Sequence, residues 1–392
     1  MPLTPHRMTN SIGRMRPPFV LPLNVLSALC LIVIAALLPH FSFAAEDARE
    51  RRLLYVAEPG IRNDLQYGGH GVLVFDIDDG HKFVRRIASA GYDEKLQPSN
   101  VKGICASVSQ QRLFVSTIVS LISFDLMTDG IVWEKKYYGG CDRMAISPDG
   151  RIIYQPSFER DHWHALDAAT GSVIARVEPN PGAHNTNYGA DGKEAYLAGL
   201  RSKMLAIADT ATHQIVRQVG PFSGSIRPFT VNGSQTLGYM CVNDLLGFEI
   251  GDLKSGKVLA RVEVQGFEKG KVARHGCPSH GIGLTPDEKE VWVCDGFNRR
   301  MHVFDVTATP PKQVASIEVR EEPGWITFSI DGHYAYPSTG DVIEVATRKI
   351  IAHLTDEHGA AVHSEKLLEI DFAGHRAVRA GCQFGIGAIG AK

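Results

Sequence analysis

Apolar residues in this chain come in short runs separated by polar turns, and the pattern repeats about every 40 residues. One block reads Cys141-Asp142-Arg143-Met144-Ala145-Ile146-Ser147-Pro148-Asp149-Gly150, followed by the apolar run Ile152-Ile153-Tyr154. A polar loop comes next, then His164-Ala165-Leu166-Asp167, a turn at Thr170-Gly171, and the run Val173 to Val177. The same order follows Leu284-Thr285-Pro286-Asp287 and again Phe328-Ser329-Ile330-Asp331-Gly332. Weaker copies centre on Ser107, Gly189 and Asn232. Runs this short, bounded by Gly, Pro and Asp, read as strands. The Asp-Gly pair suits a tight turn between the first two strands of each unit. An aspartate recurs at Asp76, Asp125, Asp167, Asp209, Asp252 and Asp305. It opens the turn after the third strand, where a carboxylate can cap backbone N–H groups, so its role is structural.

Four strands in about 40 residues describe a propeller blade. Second strands begin near Leu53, Leu113, Ile152, Glu194, Gly238, Val291 and Tyr334, which makes seven copies. The first copy lacks an innermost strand, while Lys366 to Ile370 is left over near the C-terminus. The predicted fold is therefore all-β: a seven-bladed β-propeller of four-stranded antiparallel blades, its ring closed by the C-terminal strand. Closure removes exposed sheet edges. Length alone, 392 residues, would suggest two domains. The repeat replaces that with one ring over 45–392.

Ser147-Pro148-Asp149-Gly150 followed by Ile153-Tyr154, together with Tyr55-Val56-Ala57, resembles the YVTN-type propeller repeats. The resemblance covers nearly all of the chain after the leader. It implies the fold strongly and the function weakly. Such repeats occur in lactonase-like hydrolases, in heavy chains of periplasmic amine dehydrogenases and in cell-surface proteins. No catalytic signature of one family is present to carry over.

The N-terminus has a different pattern. Arg14 and Arg16 precede an apolar run from Val20 to Leu38, and Ser42-Phe43-Ala44 offers a small-x-small cleavage site. This is the layout of a signal peptide over 1–44, or of an anchor if it stays uncleaved. The expected location is periplasmic or secreted, with membrane contact only through that segment. Of the 7 Cys, six lie beyond the leader, and export would let some oxidise. Net charge is -2, without the basic excess that nonspecific nucleic-acid binding needs.

Candidate chemistry comes from aligning the blades. Five residues before Ser147 and its equivalents stand Lys102, Asp142, His184, Arg227, His280 and Gly324. The position is polar in five of six blades, and its identity varies. Such residues start the innermost strands, at one mouth of the central channel. They read either as a ligand constellation or as a solvated polar rim. Arg143, Asn185 and Trp325 adjoin them, and an insertion from Phe267 to Ser279 brings His275 to the same face.

Lys102, Arg143 and Arg227 suit a carboxylate or phosphate. His184 and His280 are candidate general acids or bases, with Asp142 to orient a histidine. Lys102, Arg143, Asn185, Arg227, His275 and Trp325 are candidate ligand-binding residues. The histidines and Asp142 are suitable metal ligands, but Arg227 between the two His-bearing blades argues against a dication, and no metal is assigned. His164 and His302 occupy a packing position held by Leu73 and Ile122 in other blades.

The expectation is an exported propeller binding a small anionic molecule or a protein partner at the channel mouth. Two alternatives stay open: a lactonase-like hydrolase using a channel-mouth histidine, and a scaffold subunit of a periplasmic redox complex. No phosphate loop, GxSxG elbow or CxxCH haem site occurs, and the sequence leaves any cofactor unknown.

Overall fold

The computed structural model describes residues 50–88, 91–179 and 181–384. The proposed leader and anchor lie outside the described residues. Seven antiparallel sheets follow one another around a channel. In blade 2 the strands are Val101–Ser107, Arg112–Thr117, Leu121–Asp125 and Ile131–Lys135, running from the channel outwards. Blades 3 to 7 repeat this order. Blade 1 takes its inner strand, Leu367–Ala373, from the end of the chain, paired antiparallel to Glu50–Glu58 with Leu53 opposite Ile370. The ring closes as the sequence predicted.

Each blade edge is stitched by the residues that repeat. The six turn aspartates all accept backbone N–H groups: Asp76 from Asp78 N at 3.0 Å, Asp125 from Met127 N at 2.9 Å and Asp167 from Thr170 N at 2.8 Å. Asp209, Asp252 and Asp305 do the same for Thr212, Lys254 and Thr307 at 2.7, 2.8 and 2.9 Å. Gly150 has a φ of 73°, where an L side chain is strained, and a Cβ there would come within 2.2 Å of Ser107 Oγ.

Burial explains why one rule builds all the blades. The three inner strands of a blade are buried on both faces; the outer strand alternates, as in Gln214–Val219. Seven apolar clusters fill the seven clefts between neighbouring blades among the described residues. One joins blade 7 to blade 1 through Tyr336, Val342, Phe75 and Val56, so ring closure is also core formation. At about 25 cal/mol per Å² of apolar area, these clefts are the main favourable term holding the ring. Cys105, Cys141, Cys241, Cys277 and Cys294 are buried free thiols, and Cys382 is half-buried.

The end of the chain goes beyond the predicted four-strand blade. Arg376–Ala380 adds a fifth strand to blade 1 on its channel side. Gln111 clasps it, donating to Ala377 O at 2.9 Å and accepting from Ala377 N at 2.8 Å. The next residues cross the channel. The Gln383 side chain accepts from Ile104 N and donates to Met144 O, both at 3.0 Å, and Thr327 Oγ1 donates to Cys382 O at 2.7 Å. Trp325 Nε1 donates to Gln383 O, and Phe384 packs edge-on against Trp325. A cavity of about 480 Å³ lies at this end, lined by Cys105, Met144, Pro148, Tyr188, Leu368 and Phe384 among others.

Candidate functional site

Sheet register places one residue per blade at the same height in the channel. Counting back from the inner residue opposite each second-strand start gives Lys102, Asp142, His184, Arg227, His280 and Gly324. Because Ile370 faces Leu53, blade 1 supplies the seventh member, Glu365. The next position holds Gly103, Arg143, Asn185, Pro228, Gly281, Trp325 and Lys366.

Six of the seven blades meet in one run of contacts. Lys102 Nζ lies 3.2 Å from Asp142 Oδ1. His184 Nδ1 donates to Asp142 Oδ2 at 2.6 Å, and Arg143 Nη1 donates to His184 Nε2 at 3.2 Å. Arg143 Nη2 crosses to donate to Glu365 Oε2. Lys366 Nζ donates to the same oxygen at 3.0 Å and to Gly60 O at 2.7 Å. His275 Nε2 stands 3.0 Å from the other oxygen, Glu365 Oε1. His275 stacks on His280 with centroids 4.0 Å apart and planes 8° apart. His280 Nδ1 donates to Gly324 O at 3.1 Å. Trp325 is the floor, with the Arg143 guanidinium 4.2 Å above its ring.

This arrangement is not a solvated rim. Asp142 and Asn185 are fully buried, and Arg143, Lys366, Glu365, His184, His280 and Lys102 are 2, 2, 4, 5, 6 and 8% exposed. Two loops form a roof. The insertion after Phe267 carries His275, and the loop after Glu58 carries Gly60 and Tyr67. Arg274 latches them: its guanidinium donates to Tyr67 Oη at 3.0 Å and to Glu321 Oε2 at 2.7 Å. Tyr67 stacks on His363 at 4.4 Å, and His363 Nδ1 lies 2.7 Å from Glu321 Oε1. Burial would raise the Glu321 carboxyl, but His363 and Arg274 hold it down to about 2.

Electrostatics sort the ring into roles. Burial pulls His184 down to about 4 despite the attraction of Asp142. It is therefore a neutral imidazole with its N–H on Asp142 and its lone pair taken by Arg143. That makes His184 a residue that orients Arg143, with no free nitrogen for acid or base work. Burial also drives His280 well below its usual value, helped by His275. With Nδ1–H on a carbonyl, the lone pair of His280 is on Nε2. Burial would raise Asp142 and Glu365. His184 and Lys102 hold the first down, and Lys366, His275 and Arg143 hold the second well below the carboxylate range. Burial takes Lys366 down to about 7 although Glu365 pulls it up.

Of the residues expected from sequence, Lys102, Asp142, Arg143, His184, His275, His280 and Trp325 are brought together. Asn185 adjoins Arg143 by a β-bridge, and its buried side-chain amide has no hydrogen-bond partner among the described residues. Arg227 stands apart: its Nε donates to Asn243 Oδ1 at 2.6 Å. Glu365 and Lys366 were missed. The signal existed, since counting five back from Ile370 in the closing strand reaches Glu365. His164 and His302 are buried on third strands, as expected.

The fold and the site define a seven-bladed β-propeller with a buried ring of ionised groups at one end of its channel. No family model matches the chain, and no curated protein matches it. Among solved structures it is similar to hydrazine synthase of Kuenenia stuttgartiensis, with a TM-score of 0.55 and 15% identity. That likeness covers 74% of this chain and 90% of the other. At this identity it shows the propeller fold alone.

Proposed function

We propose that this propeller is an exported binding protein for a small anionic ligand, of the carboxylate class, held at the ring end of the channel. One observation carries the reading. Lys102, Arg143 and Lys366, from three blades and each 8% exposed or less, face two carboxylates, Asp142 and Glu365. A buried cation without a counter-charge is costly, and an entering anion removes that cost. Buried donors also wait for an acceptor: Arg143 Nε and the Asn185 amide nitrogen have no hydrogen-bond partner among the described residues. The roof implies that binding needs the two loops to part.

Lactonase-like hydrolysis, in keeping with the YVTN-type resemblance, is the second reading. The His280 Nε2 lone pair beside the cations favours it. A redox-scaffold role has no observation of its own beyond the shared fold.

A thermal-shift series tests the binding reading, with acetate, lactate, succinate and phosphate against their neutral amide or ester analogues at constant ionic strength. Anions should raise the melting temperature and neutral analogues should not. Equal responses would sink the reading. Release of acid from a lactone panel would favour hydrolysis, and a flat panel would remove it.

A further inference from the structure

His275, His280 and Glu365 bring three ligand atoms within 4.8 Å of one another. We propose that they hold a divalent first-row metal ion of the zinc type, through Nε2 of both imidazoles and Oε1 of the carboxylate. Two histidines and a glutamate are a donor set of open, catalytic-type zinc sites, which keep a position for water or a ligand anion.

Four features of the structure support this. First, the carbonyl of Gly324 fixes the His280 tautomer with its lone pair on Nε2, the support a metal-bound histidine ordinarily has. Second, His275 Nε2 is buried and lies 3.0 Å from Glu365 Oε1 in poor alignment for a hydrogen bond, and no other polar atom among the described residues partners it. A buried nitrogen in that state costs free energy unless something binds it. Third, the carboxylate is divided. Arg143 and Lys366 both hold Oε2, which leaves Oε1 turned to the histidines. Fourth, the ring position between them is Gly324. A Cβ there would fall 2.1 Å from His275 Nε2 and 2.6 Å from Glu365 Oε1. The backbone is thus cut away where an ion would sit.

Metal–ligand bonds of about 2.1 Å put tetrahedral ligands about 3.4 Å apart, so a separation of up to 4.8 Å must close by as much as about 1.4 Å. His275 is on the inserted loop, the part best able to supply that movement. Arg227, whose position argued against a dication, is held by Asn243. The cations that border the site, Arg143 and Lys366, lower the affinity for a dication, and a ligand anion beside the metal offsets them. Metal affinity should therefore rise when a carboxylate is present.

The test uses the full propeller chain stripped with a chelator, then titrated with Zn²⁺ by calorimetry and with Co²⁺ by visible absorption. The expected result is one ion per chain, with the strong ligand-field bands of four- or five-coordinate Co²⁺. Affinity should fall about a hundredfold in His280→Ala and at least about tenfold in Gly324→Ala, which removes no ligand. His164→Ala, on the third strand of blade 3 and away from the site, should bind as the parent does. Failure of saturable binding in the parent overturns the proposal, as does unchanged affinity in both site variants. If both variants unfold, the parent spectrum decides: weak octahedral bands like those of aqueous Co²⁺ overturn it. Succinate titrated into the stripped protein separates the two readings. Succinate binding without zinc binding rejects the metal alone, and zinc binding without succinate binding rejects the anion site alone.

Discussion

A buried histidine at one repeat position shows how the same place in each blade can carry different physics. Three residues before the turn aspartate stand Leu73, Ile122 and His164 in blades 1 to 3. His164 is 6% exposed, and burial lowers it to about 4. The unfolded chain, with an ordinary histidine near 6.5, takes up the proton first. Stability is thus lost as pH falls from about 6.5 towards about 4. His184 and His81, both also near 4, act in the same direction. His164→Leu restores the apolar side chain of the other blades. It should reduce the drop in melting temperature between pH 7 and pH 4.5, measured by circular dichroism against the parent. An unchanged drop would show that His164 does not contribute. The ring residues were legible because the repeat fixes their spacing. Glu365 and Lys366 were not read because blade 1 is split, its inner strand lying about 300 residues from its second strand.

At the scale of loops and strands, two elements lay beyond the repeat and so beyond the sequence reading. One is the roof latch. Arg274 and Tyr67 are 207 residues apart, and no pattern in either loop announces the contact. Glu321→Gln should weaken the latch at neutral pH. Hydrogen exchange in 59–70 and 267–279 should then quicken while the blades stay protected. The Glu321 carboxylate, depressed from 4.5 to about 2, stabilises the latch fully above about 4.5 and less as pH falls towards 2. The parent and the variant should therefore exchange alike near pH 2. A variant that exchanges like the parent at pH 7 would show that the roof is held by other contacts. The second element is the tail. Its residues show no blade periodicity, so the crossing at Cys382 to Phe384 could not be read. Ending the chain at Gly381 removes the Gln383 bonds and the Phe384 contact with Trp325. It should lower unfolding free energy by about 2–4 kcal/mol in urea while the ring still closes. No loss would mean that the plug is not part of the fold's stability.

The whole molecule joins these scales. Turn aspartates and Asp-Gly corners dictate blades; blades dictate seven clefts; closure by Leu367–Ala373 brings Glu365 opposite Arg143. The fold was legible in outline because the repeat is local. The site was legible only in part because its members meet across the channel, through contacts such as Arg143 with Glu365 that span 222 residues. The sequence placed the 267–279 insertion at this face, but not the burial that it and the loop after Glu58 impose on the ring. The functional account rests on the buried cations and unpartnered donors of that ring. The most direct measurement is calorimetric titration of metal-free protein with succinate at constant ionic strength, in the parent and in Lys102→Met. The account predicts one binding event in the parent and affinity lowered about tenfold, roughly 1.4 kcal/mol, in the variant, which should stay folded. No binding in the parent, or equal affinity in the two proteins, would contradict it.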